Sequence, residues 1–152
     1  TVRYHGLSWT HPELRLGVDI YSGDGAAADG DQEAFDNLFA TRHKFFGLMD
    51  LFKTFPLDSK NGGLMDMNLA GEMSASETVR VGLHLHNFVL LEDTIGDKAL
   101  GQEADAVVTW DYSEVTEYHW GGSIFVPGDG MKLRSGGEDP AFKTWMQLVV
   151  RF

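Results

Sequence analysis

The sequence predicts an all-β protein: an antiparallel transmembrane β-barrel, or a segment of one, with a long in-folded loop. Three observations predict it. Apolar and charged residues alternate with period 2 in successive runs of about 9–15 residues, longer than the usual ~5–6 of a soluble strand and matched to the ~9–11 tilted residues that cross a bilayer. Short and long connections alternate between these runs, as they do in outer-membrane barrels. No apolar run reaches the ~18–20 residues of a transmembrane helix. The rival reading is a soluble antiparallel sheet with one wet face.

The runs follow one another along the chain. The first, TVRYHGLSW (1–9), reads as a strand inside a sheet. In the run 12–22, Leu14, Leu16, Val18 and Ile20 oppose Arg15, Gly17, Asp19 and Tyr21. In 63–74, Met65, Met67, Leu69 and Met73 oppose Asp66, Asn68 and Glu72. In 77–91, Val79, Val81, Leu83 and Leu85 oppose Arg80, Gly82, His84 and His86. In 100–112, Ala104, Ala106, Val108, Trp110 and Tyr112 oppose Glu103, Asp105, Val107, Thr109 and Asp111. In 115–126, Tyr118, Trp120, Ile124 and Val126 oppose Glu117, His119 and Ser123. The last run, 143–152, groups Met146, Leu148, Val150 and Phe152. Apolar residues outside and charged residues inside suit a wall between lipid and water.

The tight turns fall at Thr10–Pro12, Ala75–Ser76 and Ser113–Glu114, and the longer connections at 92–99 and 127–142. With the C-terminus on the periplasmic side, strand directions alternate only if 23–62 forms one extracellular loop. So long a loop with apolar residues is expected to fold against or into the lumen. Phe45, Leu48, Met49 and Phe52 lie at i, i+3, i+4 and i+7, which predicts a helix over 43–53. A strand over Phe45–Leu51 is the competing reading, and a second short helix is expected over Asp31–Phe39. Seven strands is an odd count, whereas single-chain bacterial barrels have an even one, so the chain is expected to be part of a larger barrel.

Several stretches resemble the C-terminal part of the alginate-export family of Gram-negative outer-membrane barrels. They are LGVDIYSGDG (16–25), FDNLFATRHKFFGLMDL (35–51), GQEADAVVTWDYS (101–113), SIFVPGD (123–129) and WMQLVVRF (145–152), in family order across nearly the whole chain. The resemblance implies a roughly 18-stranded barrel in the outer membrane of a Gram-negative bacterium. It also implies that Phe152, after alternating apolar residues, acts as the C-terminal signal read by the outer-membrane assembly machinery. The implied partners are the bilayer, that machinery, the remaining barrel strands and a hydrophilic solute.

The functional expectation is a channel. Alternation gives the pore-lining candidates Arg15, Asp19, Asp66, Glu72, Arg80, His84, His86, Glu103, Asp105, Asp111, Glu117 and Arg151. Three arginines face seven carboxylates, the opposite of what a polyuronate pore needs. The alternative is a structural or binding barrel that sleeves or docks a partner protein without transport. The excess of 23 acidic over 12 basic residues, a net charge of −11, argues against nucleic acid. There is no Cys and no Gly-x-Ser-x-Gly elbow, so no enzyme is expected.

Hairpin register around Ala75–Ser76 is expected to set Asp66 opposite His86 and Glu72 opposite Arg80. Register around Ile95–Gly96 brings His86 near Glu103 or Asp105. These groups read as cross-strand ion pairs, with a metal at His84 and His86 the weaker alternative because a third ligand is needed. Trp110, Tyr112, Tyr118 and Trp120 read as a periplasmic aromatic girdle rather than a sugar platform. The acidic run YSGDGAAADGDQEAFD (21–36) is not an EF-hand, since Ala34 and Ala40 occupy the positions of its Gly and Glu. No cofactor is expected; a loose calcium site from Asp24, Asp29 and Asp31 is weighed against a solvated turn.

Overall fold

Period-2 patterning becomes strand pairing in the computed structural model, which describes residues 2–5, 12–26, 29–37 and 45–152. The strands are β1 (Val2–His5), β2 (Glu13–Tyr21), β3 (Leu64–Ser74), β4 (Val79–Val89), β5 (Ala99–Ser113), β6 (Thr116–Pro127) and β7 (Ala141–Val150). They form one antiparallel sheet in the order β1-β2-β3-β4-β5-β6-β7. Among the described residues β1 and β7 do not pair with each other, so the sheet is open. The expected strand 1–9 is described only over β1; its remainder and the turn residues Thr10 and His11 lie outside the described residues. No helix among the described residues is long and apolar enough to cross a membrane, which says nothing of crossing by strands.

The register puts the apolar side chains on one continuous face. Leu16 pairs with Leu69, Leu69 with Leu85, Leu85 with Ala104 and Ala104 with Ile124. Nothing among the described residues covers this face: Leu16 is 60 % exposed, Leu85 51 % and Met146 68 %. Trp110, Tyr118 and Trp120 stack in a row on it next to the β5–β6 turn, at centroid separations of 5.6 and 5.7 Å between Trp110–Tyr118 and Tyr118–Trp120.

The opposite face carries the packed core. At its loop end Leu64, Phe88, Leu100 and Phe125 replace the charged pattern, and Phe46, Phe52, Phe55, Leu90 and Met131 close over them. Phe52 is fully buried and tilts against Phe88 at 4.8 Å. Tyr21 meets Phe35 at 4.9 Å and Phe46 at 5.1 Å. The long loop thus folds against the charged side of the sheet.

The expected helix over 43–53 is absent from its described part, 45–53, as is the competing strand. Gly47 and Asp50 take positive φ, 77° and 63°, which breaks any helix there. Each ring instead goes to its own partner, Phe46 to Tyr21 and Phe52 to Phe88, so packing overrides the helical spacing. The expected helix at 31–39 is likewise not formed over 31–37; 38 and 39 lie outside the described residues.

A second correction concerns the β3–β4 turn. It occupies 75–78, with both the Ala75 and Ser76 N–H groups donating to the Val79 carbonyl at 2.8 and 3.2 Å. The wider turn shifts the register by two residues. Asp66 therefore stands opposite Phe88 and Glu72 opposite Gly82, not His86 and Arg80.

One element was not expected, α1 (Asp129–Ser135). Asp129 lies in its first turn, Lys132 and Arg134 in its last, and Gly136 ends it in the left-handed conformation at φ 72°. It buries Met131 against the loop core.

Candidate functional site

Strands β2 to β6 present Arg15, Asp19, Asp66, Glu72, Arg80, His84, His86, Glu103, Asp105, Asp111 and Glu117 on the loop-bearing face, by the period-2 geometry of the register. Arg151 follows the end of β7 and donates from Nη1 to Glu117 Oε1 at 2.6 Å. Arg80 makes a two-pronged pair with Asp111, 2.6 Å from Nη1 to Oδ2 and 3.2 Å from Nη2 to Oδ1. Its partner is therefore Asp111 and not Glu72, as the register shift requires.

A polar line crosses four strands at mid-sheet. Asn68 Nδ2 donates to Asp19 at 3.0 Å and to Asp66 at 3.3 Å. His86 Nδ1 stands 2.8 Å from the same Asp66 oxygen, and its Nε2 stands 3.8 Å from Asp105 Oδ2. Although Asp66 is not directly opposite His86, the longer side chains meet across the diagonal. Asp66, Glu103 and Asp105 are all at least 98 % buried. Further down, Thr109 Oγ1 and His119 Nδ1 lie 3.1 Å apart, and His119 Nε2 is 3.3 Å from Glu117.

The loop is attached to this line at defined points. The Met49 N–H donates to Glu103 Oε1 at 2.7 Å. Gly47 rides directly over the same carboxylate, where a Cβ would collide with it. Lys143 donates to the Leu48 carbonyl at 2.8 Å and pairs with Asp50. Within the loop, Asp58 Oδ2 accepts the Lys53 and Thr54 N–H groups at 2.7 and 2.6 Å. Arg134 of α1 reaches Asp58 at 3.4 Å and lies over the Phe52 ring at 5.8 Å. Burial pushes the Arg134 guanidinium below its ordinary pKa, and Asp58 opposes that shift.

Beneath Gly47 and Leu48 lies a cavity of 350 Å³, walled by Glu72, Arg80, His84, His86, Asp105 and Trp145 among others. Trp145 can lie against the sheet because Gly121 opposite it has no side chain; a Cβ there would strike the indole.

The remaining candidates are not brought together. Asp24 is buried, and its Oδ1 accepts the Ala26 N–H at 3.1 Å. Asp29 and Asp31 are exposed, and Asp29 Oδ1 accepts the Asp31 N–H at 3.0 Å. Among the described residues no three His, Cys, Asp or Glu side chains are placed to hold a metal ion. Phe152 is fully exposed beyond β7.

Compared with models of known protein families, with curated proteins and with solved structures, the chain matches none.

Sequence reasoning passed over Lys143 and Trp145 as groups of the loop-bearing face, although it placed Ser123 there beside Glu117 and His119. The signal was present: Lys143, Trp145 and Gln147 alternate with Phe142, Thr144, Met146 and Leu148 in the last strand. Trp145 is easily read as one more outward aromatic because it adjoins an apolar run.

Proposed function

We propose that this chain is part of a membrane-spanning β-barrel of the alginate-export type, set in a Gram-negative outer membrane and passing a hydrophilic solute without chemistry. One observation carries the reading: the sheet leaves a continuous apolar face uncovered from β2 to β7 while its charged face holds the loop and the buried polar line. Large contiguous apolar faces on soluble chains are rare, and lipid is the solvent that stabilises this one. The stacked aromatics at the turn end fit an interfacial girdle. In a bilayer the outer edges of β1 and β7 would require further strands, because unpaired backbone groups are not tolerated there.

On this reading the loop over 45–63 narrows the pore from its extracellular end. Its solute is hydrophilic, and a polyanion fits poorly, because Arg80 and Arg151 are already engaged by Asp111 and Glu117. A planar-bilayer recording of the intact protein with and without residues 23–62 tests the proposal. Single-channel conductance that rises on deletion supports it. Unchanged conductance removes the constriction role. A protein that inserts but never conducts supports the partner-docking barrel instead, a reading favoured by how completely the loop covers the upper inner face.

A further inference from the structure

Two carboxyl groups meet beneath the loop, where water is excluded. Glu103 and Asp105 sit two residues apart on the same face of β5, and each is 2 % exposed. As ionised carboxylates they would leave Glu103 Oε2 and both Asp105 oxygens without a hydrogen-bond donor among the described residues. A side-chain hydrogen bond joins the two groups, and between carboxyls it requires a proton on one of them. That proton satisfies an oxygen on each and removes one of two like charges held side by side. The loop closes over the pair. The Met49 N–H donates to Glu103 Oε1 at 2.7 Å, the Leu48 N–H also faces this carboxyl, and Gly47 lies against it. From β4, His86 stands opposite Glu103 and His84 opposite Asp105, and His86 Nε2 is 3.8 Å from Asp105. From β3, Asp66 engages the other nitrogen of His86. From β6, Phe125 stands opposite Glu103 and Ser123 opposite Asp105. Lys143 of β7 follows opposite Ser123 and is turned to Leu48 and Asp50 of the loop.

We propose that the Glu103–Asp105 pair is a proton-operated latch, holding the loop over 45–53 against the sheet while it shares a proton and releasing it when that proton is lost. The latch stands on the fold alone; its use to open a pore rests on the channel reading. The sign follows from water. Opening the loop hydrates the pair and lets both groups ionise, whereas closing it strips that water away. The closed form therefore keeps a proton that the open form gives up. Closure is favoured most below the ordinary carboxyl range, about pH 4, and weakens by up to about tenfold per pH unit until the closed pair itself ionises. The loop amides act in the opposite sense, since they favour a carboxylate at Glu103. They face that one group and do nothing to relieve its repulsion by an ionised Asp105, so the pair decides the direction.

The test follows the intact protein in detergent micelles by carbon NMR from about pH 5 to about pH 9, with the Glu103 carboxyl and the Met49 methyl labelled. The expected result is one step shared by both signals, with a midpoint above about pH 6. Broadening of the Met49 methyl by a soluble gadolinium chelate should grow through the same step, as the loop lifts. In Glu103→Gln, which stays neutral, the Met49 signal should keep its low-pH form throughout. A Glu103 carboxyl already ionised at the lowest pH overturns the proposal, as does a Met49 methyl whose broadening ignores the step. A step that survives Glu103→Gln belongs to His84 or His86 and overturns it too. If Glu103→Gln loses its β circular-dichroism signal, Asp105→Asn replaces it, with the Glu103 midpoint expected to fall by about one pH unit or more and an unmoved midpoint overturning. The shared step in a protein that never conducts in a bilayer sinks the channel reading and leaves the latch standing. Conductance without the shared step does the reverse.

Discussion

Replacing Phe52 by Ala is the most informative single change to the loop. Phe52 is fully buried, tilts against Phe88 at 4.8 Å and carries the Arg134 guanidinium over its ring at 5.8 Å. Truncating such a ring costs about 3–5 kcal/mol, from lost burial plus the cavity left behind. The cost falls on the loop rather than on the sheet, because the ladder hydrogen bonds of β4 and β5 do not involve residue 52. The Met49 amide, which donates to Glu103, reports loop opening directly. A loss of about 3 kcal/mol corresponds to an exchange rate raised about 150-fold. Hydrogen exchange with residue resolution is the assay. The Met49 amide should exchange about 150-fold faster or more, while amides in the middle of β4 and β5 keep their protection. Unchanged protection at Met49 would refute the argument that this ring anchors the loop. Equal loss across β4 and β5 would refute the separation of loop from sheet.

Two further changes address the remaining contacts. Gly47→Ala demands an L-residue at φ 77° and pushes a Cβ into the Glu103 carboxylate, so the loop should detach at that point; limited proteolysis within 45–63 should accelerate, and an unaltered rate counts against the close approach. Asp129 is held below the ordinary carboxylate range by the Lys132 hydrogen bond, so whatever it contributes to α1 is present above the unfolded pKa and is lost as pH falls through the lower folded one. A titration followed by NMR should give Asp129 a midpoint below that of the Asp129 carboxyl in Lys132→Met, and coincident midpoints contradict the pairing.

The strands were legible because a half-buried sheet writes its geometry into the sequence: Leu83, His84, Leu85 and His86 can satisfy two different surroundings only by alternating. The candidate charged face followed from that alternation. Its partners did not, because they depend on turn width. Ala75–Ser76 looks like a tight turn, yet the chain closes over 75–78 and moves Arg80 from Glu72 to Asp111. The loop was misread for a related reason. Phe45, Leu48, Met49 and Phe52 have helical spacing, but the positive-φ positions Gly47 and Asp50 and the waiting surface of Phe88 and Leu64 decide its path. Helix α1 is short enough that only its caps and end charges mark it, in a stretch that otherwise reads as a Gly-rich loop.

Assigning one face of this sheet to lipid and the other to water is tested most directly by cysteine scanning, since the chain contains no Cys of its own. Leu83→Cys, His84→Cys, Leu85→Cys, Val108→Cys and Thr109→Cys, each in the intact protein in lipid vesicles, sample both faces of β4 and β5. A charged, membrane-impermeant thiol reagent should label the variants at His84 and Thr109 and leave those at Leu83, Leu85 and Val108 unlabelled. Equal labelling on both faces, or the reverse pattern, would contradict it.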